Sequence, residues 1–142
     1  MAGLYIHIPF CASRCNYCDF YSTTLLSKRS DYVKAVLREW NAKAHDWKNN
    51  IDTIYIGGGT PTMLDDMDLT NLINTILADL PHLPKEITLE ANPCDLTLQK
   101  LHCIKQANVN RLSVGIQSFN DSLLTLMGRR HNASQAKDAI TN

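Results

Sequence analysis

A chain of 142 residues with 44% hydrophobic and 20% charged positions is long enough to fold around one core, and at this size folding buries roughly 68–70% of the unfolded chain's surface. No apolar run approaches the ~20 residues of a membrane span, and six glycines with five prolines are too few for a collagen-like or linker composition. Fourteen basic residues balance fourteen acidic ones, so no broad basic face is offered to nucleic acid.

Leu4 to Ile8 is apolar and β-branched and reads as a strand ended by Pro9, which cannot donate to a ladder. No cationic segment precedes it, and His7 and Pro9 interrupt its apolar character, so it is not a secretory signal. The expected compartment is the cytoplasm, where thiols stay reduced and disulfides are rare. Pro9 to Arg29 carries no periodic pattern, and a loop of about twenty residues is long enough to suggest function. Val33, Val36, Leu37, Trp40, Ala44 and Trp47 recur at helical spacing, with Ser30 placed as the N-cap.

Ile51 to Ile56 predicts a second strand, stopped by Gly57-Gly58-Gly59. Leu69, Leu72, Ile73, Ile76, Leu77 and Leu80 predict an amphipathic helix entered through Asp65 to Asp68. Glu86 to Ala91 reads as a third strand, Thr97 to Ala107 as a third helix, and Arg111 to Ile116 as a fourth strand. A short helical turn near Asp121 to Met127 and a helix opening around Ser134 complete the pattern. The stripe begun by Ala136, Ala139 and Ile140 stops at Asn142, which reads as a helix cut short and the chain as a fragment. Four strands alternating with helices predict the α/β class, built from βαβ units around a parallel sheet. Periodicity leaves open whether the helices cover one side of a curving sheet or both sides of a flat one.

Five cysteines are present, three of them in Cys11-Ala12-Ser13-Arg14-Cys15-Asn16-Tyr17-Cys18. The C-x₃-C-x₂-C spacing lets one loop wrap three thiolates around a single centre. A cubane iron–sulfur cluster held by three cysteines would keep one iron open for a ligand. The competing reading is a closed zinc site completed by His7, Cys94 or Cys103; a third leaves the thiols unligated. Cys103, beside Leu101 and Ile104, reads as a small buried hydrophobe, and Cys94, after Pro93, as a loop bystander.

Gly57-Gly58-Gly59-Thr60 follows a strand directly. It lacks both the Walker and the G-x-G-x-x-G patterns. Three glycines exceed what a turn requires and suit the close approach of a small polar ligand to bare backbone. Glu90 and Gln117 stand at the ends of the third and fourth strands. Four successive strands thus deliver ligating or polar groups to the rim where α/β proteins bind ligands. Arg129 and Arg130, beyond the fourth strand, would either supply a cation to that rim or stand at the surface, and His7 and His131 read either as proton donors or as ordinary structural histidines.

Taken together, Tyr5-Ile6-His7-Ile8-Pro9-Phe10-Cys11 through Cys18, Gly57-Gly58-Gly59-Thr60-Pro61, Glu90-Ala91-Asn92-Pro93, Asn110-Arg111-Leu112-Ser113 and Gly115-Ile116-Gln117-Ser118-Phe119 resemble the radical S-adenosylmethionine (SAM) superfamily. More narrowly, they resemble its oxygen-independent coproporphyrinogen III oxidase family, which includes a heme-chaperone branch. The likeness runs in order along essentially all of the chain. It implies a four-iron–four-sulfur cluster on Cys11, Cys15 and Cys18, with SAM chelating the fourth iron. Gly58, Gly59, Thr60, Glu90, Gln117 and Arg129 match SAM contacts of the family, while Tyr5 and Tyr17 match positions beside the cofactor. The implied chemistry is reductive cleavage of SAM to a 5′-deoxyadenosyl radical.

The resemblance also implies a partial (β/α)6 barrel, of which residues 1–142 would supply four βα units, with 9–29 as the cluster loop and the rest of the barrel and a C-terminal domain absent. Oxidases of the family carry a further cysteine two residues after the third ligand, where this chain has Phe20. That departure points to the heme-chaperone branch, with heme as a further ligand, and away from oxidative decarboxylation of coproporphyrinogen. The implied partners are heme or porphyrin, an electron donor such as a flavodoxin or ferredoxin, and a heme-accepting protein. The rival from another class is a non-catalytic module whose cysteines hold zinc.

Overall fold

The computed structural model describes residues 2–141. Four strands, β1 (Ala2–Ile8), β2 (Ile51–Gly58), β3 (Glu86–Ala91) and β4 (Arg111–Val114), pair in parallel in the order β1-β2-β3-β4. Helix α1 (Arg29–Lys43) follows β1, α2 (Asp66–Asp79) follows β2 and α3 (Leu98–Gln106) follows β3, with α4 (Asp121–Leu126) and α5 (Ala133–Thr141) after β4. Each strand lies beside its predecessor, so right-handed crossovers carry every connecting helix to the same face. The sheet is wound in one direction, and the choice left open by periodicity is thereby made.

Burial alternates along the strands because successive side chains point to opposite faces. Ile6, Ile8, Ile54, Ile56, Ile87 and Leu89 point toward the helices and are buried. Leu69, Leu72, Ile73 and Ile76 meet them from α2, at the three-and-four spacing of a helix stripe. Each such side chain contributes roughly 1.5–3 kcal/mol on leaving water. The opposite, inner face is polar and aromatic. Tyr5, Tyr55, Thr88 and Arg111 stand in register across it, and His7 with Gly57 and Glu90 with Ser113 form the row above.

Three local features differ from the sequence expectations. Ser30 is not the N-cap of α1; a 3-10 turn at Leu26–Lys28 runs straight into the helix, and the Arg29 amide donates to the Leu26 carbonyl. The Ser30 hydroxyl instead donates to Asp68 Oδ2 at 2.6 Å, joining α1 to α2. Helix α1 stops at Lys43 rather than reaching Trp47, because two 3-10 turns follow. Trp47 packs edge-on against Trp40, whose indole N–H is held by Asp79 at the end of α2. Finally, β4 ends at Val114 and not at Ile116. The Gly115 amide makes one more bond to β3, at Ala91, and the chain then tightens through short-range turns to Gln117, whose φ is +67°.

Candidate functional site

The site lies at the carboxyl ends of the strands. The segment leaving β1 is bound at its base: Thr23 N–H donates to the Pro9 carbonyl at 2.8 Å and Cys11 N–H to Thr23 at 3.0 Å. Beside it, Gly59 N–H donates to Ile8 and Thr60 N–H to Phe10, each at 2.8 Å, so the ends of β1 and β2 advance together. The apex is tied across the rim. Asn16 donates from its amide side chain to Leu126 and from its backbone to Met127, filling carbonyls left unpaired at the end of α4. Gly128, at φ +71°, ends that helix in the left-handed conformation and packs against Asn16.

Cys11, Cys15 and Cys18 line one cavity together with Thr60, Asn92 and Arg129. Cys11 Sγ is 3.5 Å from the Thr60 hydroxyl, and Arg129 Nη1 donates to Cys15 Sγ at 3.3 Å. Among the described residues, no three or more His, Cys, Asp or Glu side chains gather tightly enough to hold a single metal ion. His7, one of the three candidate fourth zinc ligands, is engaged elsewhere: its Nδ1 meets the Tyr5 hydroxyl at 3.0 Å and its Nε2 the Tyr21 carbonyl at 3.1 Å.

A second cavity of about 240 Å³ adjoins the first and shares Tyr17, Cys18, Gly59, Thr60, Asn92 and Arg129 with it. Its wall includes Glu90, Ser113 and Gln117. The Glu90 carboxylate accepts from Gly58 N–H at 2.9 Å and from the Tyr55 hydroxyl at 2.6 Å. That bond to Glu90, with burial behind it, raises the Tyr55 pKa and keeps the phenol a donor. Burial likewise raises Tyr17, against the opposing pull of Arg129.

Each glycine of the run has a packing reason of its own. A Cβ on Gly57 would stand 2.7 Å from the Tyr55 ring and 2.8 Å from Glu90 Cδ, and one on Gly58, at φ +114°, 2.4 Å from the His7 ring. On Gly59 it would meet the Pro9 and Phe10 backbone at 2.8–2.9 Å. Bare backbone at Gly58 and Gly59 still faces the cavity. The run therefore serves the protein's own packing as well as any ligand.

The sequence profile described as the Radical SAM superfamily matches residues 5–142. The chain belongs to the radical SAM superfamily. Within it the chain is 44% identical over 147 aligned residues to the heme chaperone HemW of Bacillus subtilis (strain 168), covering 100% of this chain and 38% of that one. It is 40% identical to the heme chaperone HemW of Escherichia coli (strain K12), across 96% of this chain and 37% of that one. The solved coproporphyrinogen III oxidase (HemN) of Escherichia coli, a radical SAM enzyme, superposes with a TM-score of 0.88 at 27% identity, covering 98% of this chain and 33% of that one. The chain thus spans well under half the length of these relatives. It lies close to HemW in a HemN-like family.

A cubane takes each thiolate at a separate corner iron, so sulfurs spread around one cavity suit it better than sulfurs converging on one ion. Arg129 Nε is buried with no acceptor, while its Nη2 donates to the Gly115 carbonyl. An anionic group in the cavity would meet the Arg129 guanidinium on its wall, and the Glu90 carboxylate provides the opposite charge nearby. The residues present fit the group.

Of the positions singled out in the sequence, Tyr17, Gly58, Gly59, Thr60, Glu90, Gln117 and Arg129 share the second cavity. Tyr5 lines neither cavity; it sits lower on the inner face, its ring 6.1 Å from that of Tyr55. Arg130 pairs with Asp95 at 3.0 and 3.1 Å and edges the cysteine cavity. Cys94 lies in a 3-10 turn, and burial raises its pKa, which suits an inert thiol. Cys103 is half-buried rather than a core residue, with Sγ 3.1 Å from the Thr70 hydroxyl. His131 is buried away from the cavities, at 3% exposure. Asn92, which caps the turn after β3 through Cys94 N–H and lines both cavities, was not among the predicted site residues. Its place directly after the third strand is the signal that could have found it. No helix of the described residues is long and apolar enough to cross a membrane.

Proposed function

We propose that this chain forms the cluster- and SAM-binding part of a heme chaperone of the radical SAM superfamily. Cys11, Cys15 and Cys18 hold a four-iron–four-sulfur cluster. SAM lies against Gly58, Gly59, Thr60, Glu90, Gln117 and Arg129, with Tyr17 and, further down the inner face, Tyr5 nearby. One observation carries the reading: the three-thiol cavity adjoins a second cavity whose wall carries both a carboxylate, Glu90, and a guanidinium, Arg129. Charge complementarity assigns the roles. Arg129, on the cavity wall, offers its guanidinium to the methionine carboxylate. Glu90, fixed by Gly58 and Tyr55, faces the ammonium or ribose hydroxyls. The cluster, when bound and reduced, supplies the electron that cleaves the SAM sulfonium. The chain's contribution is to orient SAM and to keep the cysteine loop closed through Asn16 and Thr23.

Heme as the further ligand is supported by the HemW relatives and by exposed aromatic side chains beside the site: Tyr17, Phe20 and Tyr21. An apolar macrocycle would cover such rings. Phe20, where the oxidases carry cysteine, gives this surface a flat apolar contact. An electron donor of the flavodoxin or ferredoxin kind, a heme-accepting protein and a cytoplasmic setting complete the proposal. The test is anaerobic reconstitution of the full-length protein, followed by heme titration and transfer to an apo-hemoprotein. Saturable heme binding with transfer is expected. Conversion of coproporphyrinogen III to a vinyl porphyrinogen would replace the chaperone reading with the oxidase one.

A further inference from the structure

Gln117 occupies backbone that side chains rarely adopt. Its φ is +67°, and the Ser118 amide reaches back over it to the Ile116 carbonyl at 2.8 Å. A three-residue turn closed in this way with positive φ is the strained form of the γ-turn, and such strain persists only where the surroundings enforce it. The Ile116 carbonyl has a second partner, His131 Nε2, at 2.9 Å. A carbonyl only accepts, so Nε2 carries the proton. The other ring nitrogen, Nδ1, is buried with no partner. The imidazole therefore makes a single hydrogen bond, and that bond goes to the strained turn.

His131 is itself held firmly. Asn132 and Gln135 form a reciprocal cap at the start of α5: Asn132 Oδ1 accepts from Gln135 N–H at 2.9 Å, and Gln135 Oε1 from Asn132 N–H at 3.0 Å. Asp121, in the first turn of α4, accepts from Ala133 N–H at 2.7 Å. The ring thus comes from a fixed point two residues beyond Arg129, whose Nη2 grips the Gly115 carbonyl. One short stretch of chain, 129–131, thus holds the two successive carbonyls, of Gly115 and Ile116, that lead into the turn.

We propose that His131 is a positioning residue for the SAM site: its Nε2–H bond to Ile116 holds the Gln117 turn in its strained form and so keeps the Gln117 side chain on the cavity wall. This rests on the SAM-binding reading above for its consequence, and on the backbone geometry alone for its premise. Leucine at 131 fills a similar space but leaves the Ile116 carbonyl without its side-chain donor. Glutamine keeps an N–H donor.

The experiment compares wild type, His131→Leu and His131→Gln in the full-length, anaerobically reconstituted protein, measuring SAM binding by equilibrium dialysis and iron and sulfide content in parallel. His131→Leu is expected to weaken SAM about tenfold, on the scale of one buried polar group left unpaired, with cluster content unchanged. His131→Gln is expected to recover most of that affinity. Unchanged SAM affinity in His131→Leu would overturn the proposal, as would parallel loss of cluster and SAM without rescue by glutamine, which marks a general folding role. A crystal structure of His131→Leu decides the premise separately. Relaxation of Gln117 to negative φ supports it, and an unaltered turn overturns it. If wild type binds no SAM, the SAM-site reading fails, and the crystal structure still judges the premise.

Discussion

Gly58→Ala tests the link between the glycine run and the cluster loop. At φ +114° the position costs an L-residue about 1–3 kcal/mol in backbone strain. The new methyl would also stand 2.4 Å from His7 Cε1 and 2.5 Å from Nδ1, so the imidazole must leave. Its departure breaks the bonds to Tyr5 and to the Tyr21 carbonyl, each worth about 0.5–1.5 kcal/mol net. The expected destabilisation is about 2–6 kcal/mol, read by urea unfolding of the full-length protein without its cluster. Because Tyr21 lies on the cluster loop, cluster uptake should fall as well. In a His7→Ala background the bonds are already gone, and Gly58→Ala should cost only its backbone share. A coupling of about 1–3 kcal/mol between the two substitutions follows. A loss below about 1 kcal/mol for Gly58→Ala, or strict additivity with His7→Ala, would refute the reasoning.

Asp95→Ala should destabilise the fold by about 1.5–3 kcal/mol in thermal or urea unfolding, since it removes charged hydrogen bonds to Arg130 and to the buried Thr62 hydroxyl. Burial, with further lowering from Arg129 and Arg130 against the opposing bond to Ile116, depresses the His131 pKa below its ordinary value near 6.5. The native state therefore favours neutral imidazole: its contribution is complete above pH 6.5 and is lost as pH falls through the lower native pKa. Unfolding titrations should show stability dropping below pH 6.5 by more in wild type than in His131→Leu, and equal slopes would contradict this. Cys94→Ser and Cys103→Ala should leave iron content unchanged, whereas Cys11→Ala, Cys15→Ala or Cys18→Ala should remove most of it.

Much of the fold was legible because its signals are local. The stripe from Leu69 to Ile76 and the strand from Glu86 to Ala91 follow from side-chain spacing. The one-sided placement of the helices was not legible, because it depends on the order in which strands pair. The premature end of β4 was hidden too. Val114-Gly115-Ile116 reads as a strand, but Arg129 and His131, distant in sequence, draw Gly115 and Ile116 into a turn. The cysteine spacing and strand-end polar residues pointed correctly to one rim. They could not reveal that Glu90 is held by Tyr55 from the neighbouring strand, or that Asn16 closes the loop onto α4, since both depend on three-dimensional proximity. His131 carried no signal at all: a lone histidine before a helix looks the same whether it faces solvent or a buried carbonyl.

The proposed function stands on Cys11, Cys15 and Cys18 holding a cluster with an iron open to SAM. Electron paramagnetic resonance of the reduced, reconstituted full-length protein, recorded with and without SAM and joined to iron and sulfide analysis, tests it most directly. Iron and acid-labile sulfide near four of each per chain are expected, with a cluster signal that shifts when SAM is added. Tightly bound zinc without sulfide, or a cluster signal indifferent to SAM, would contradict it.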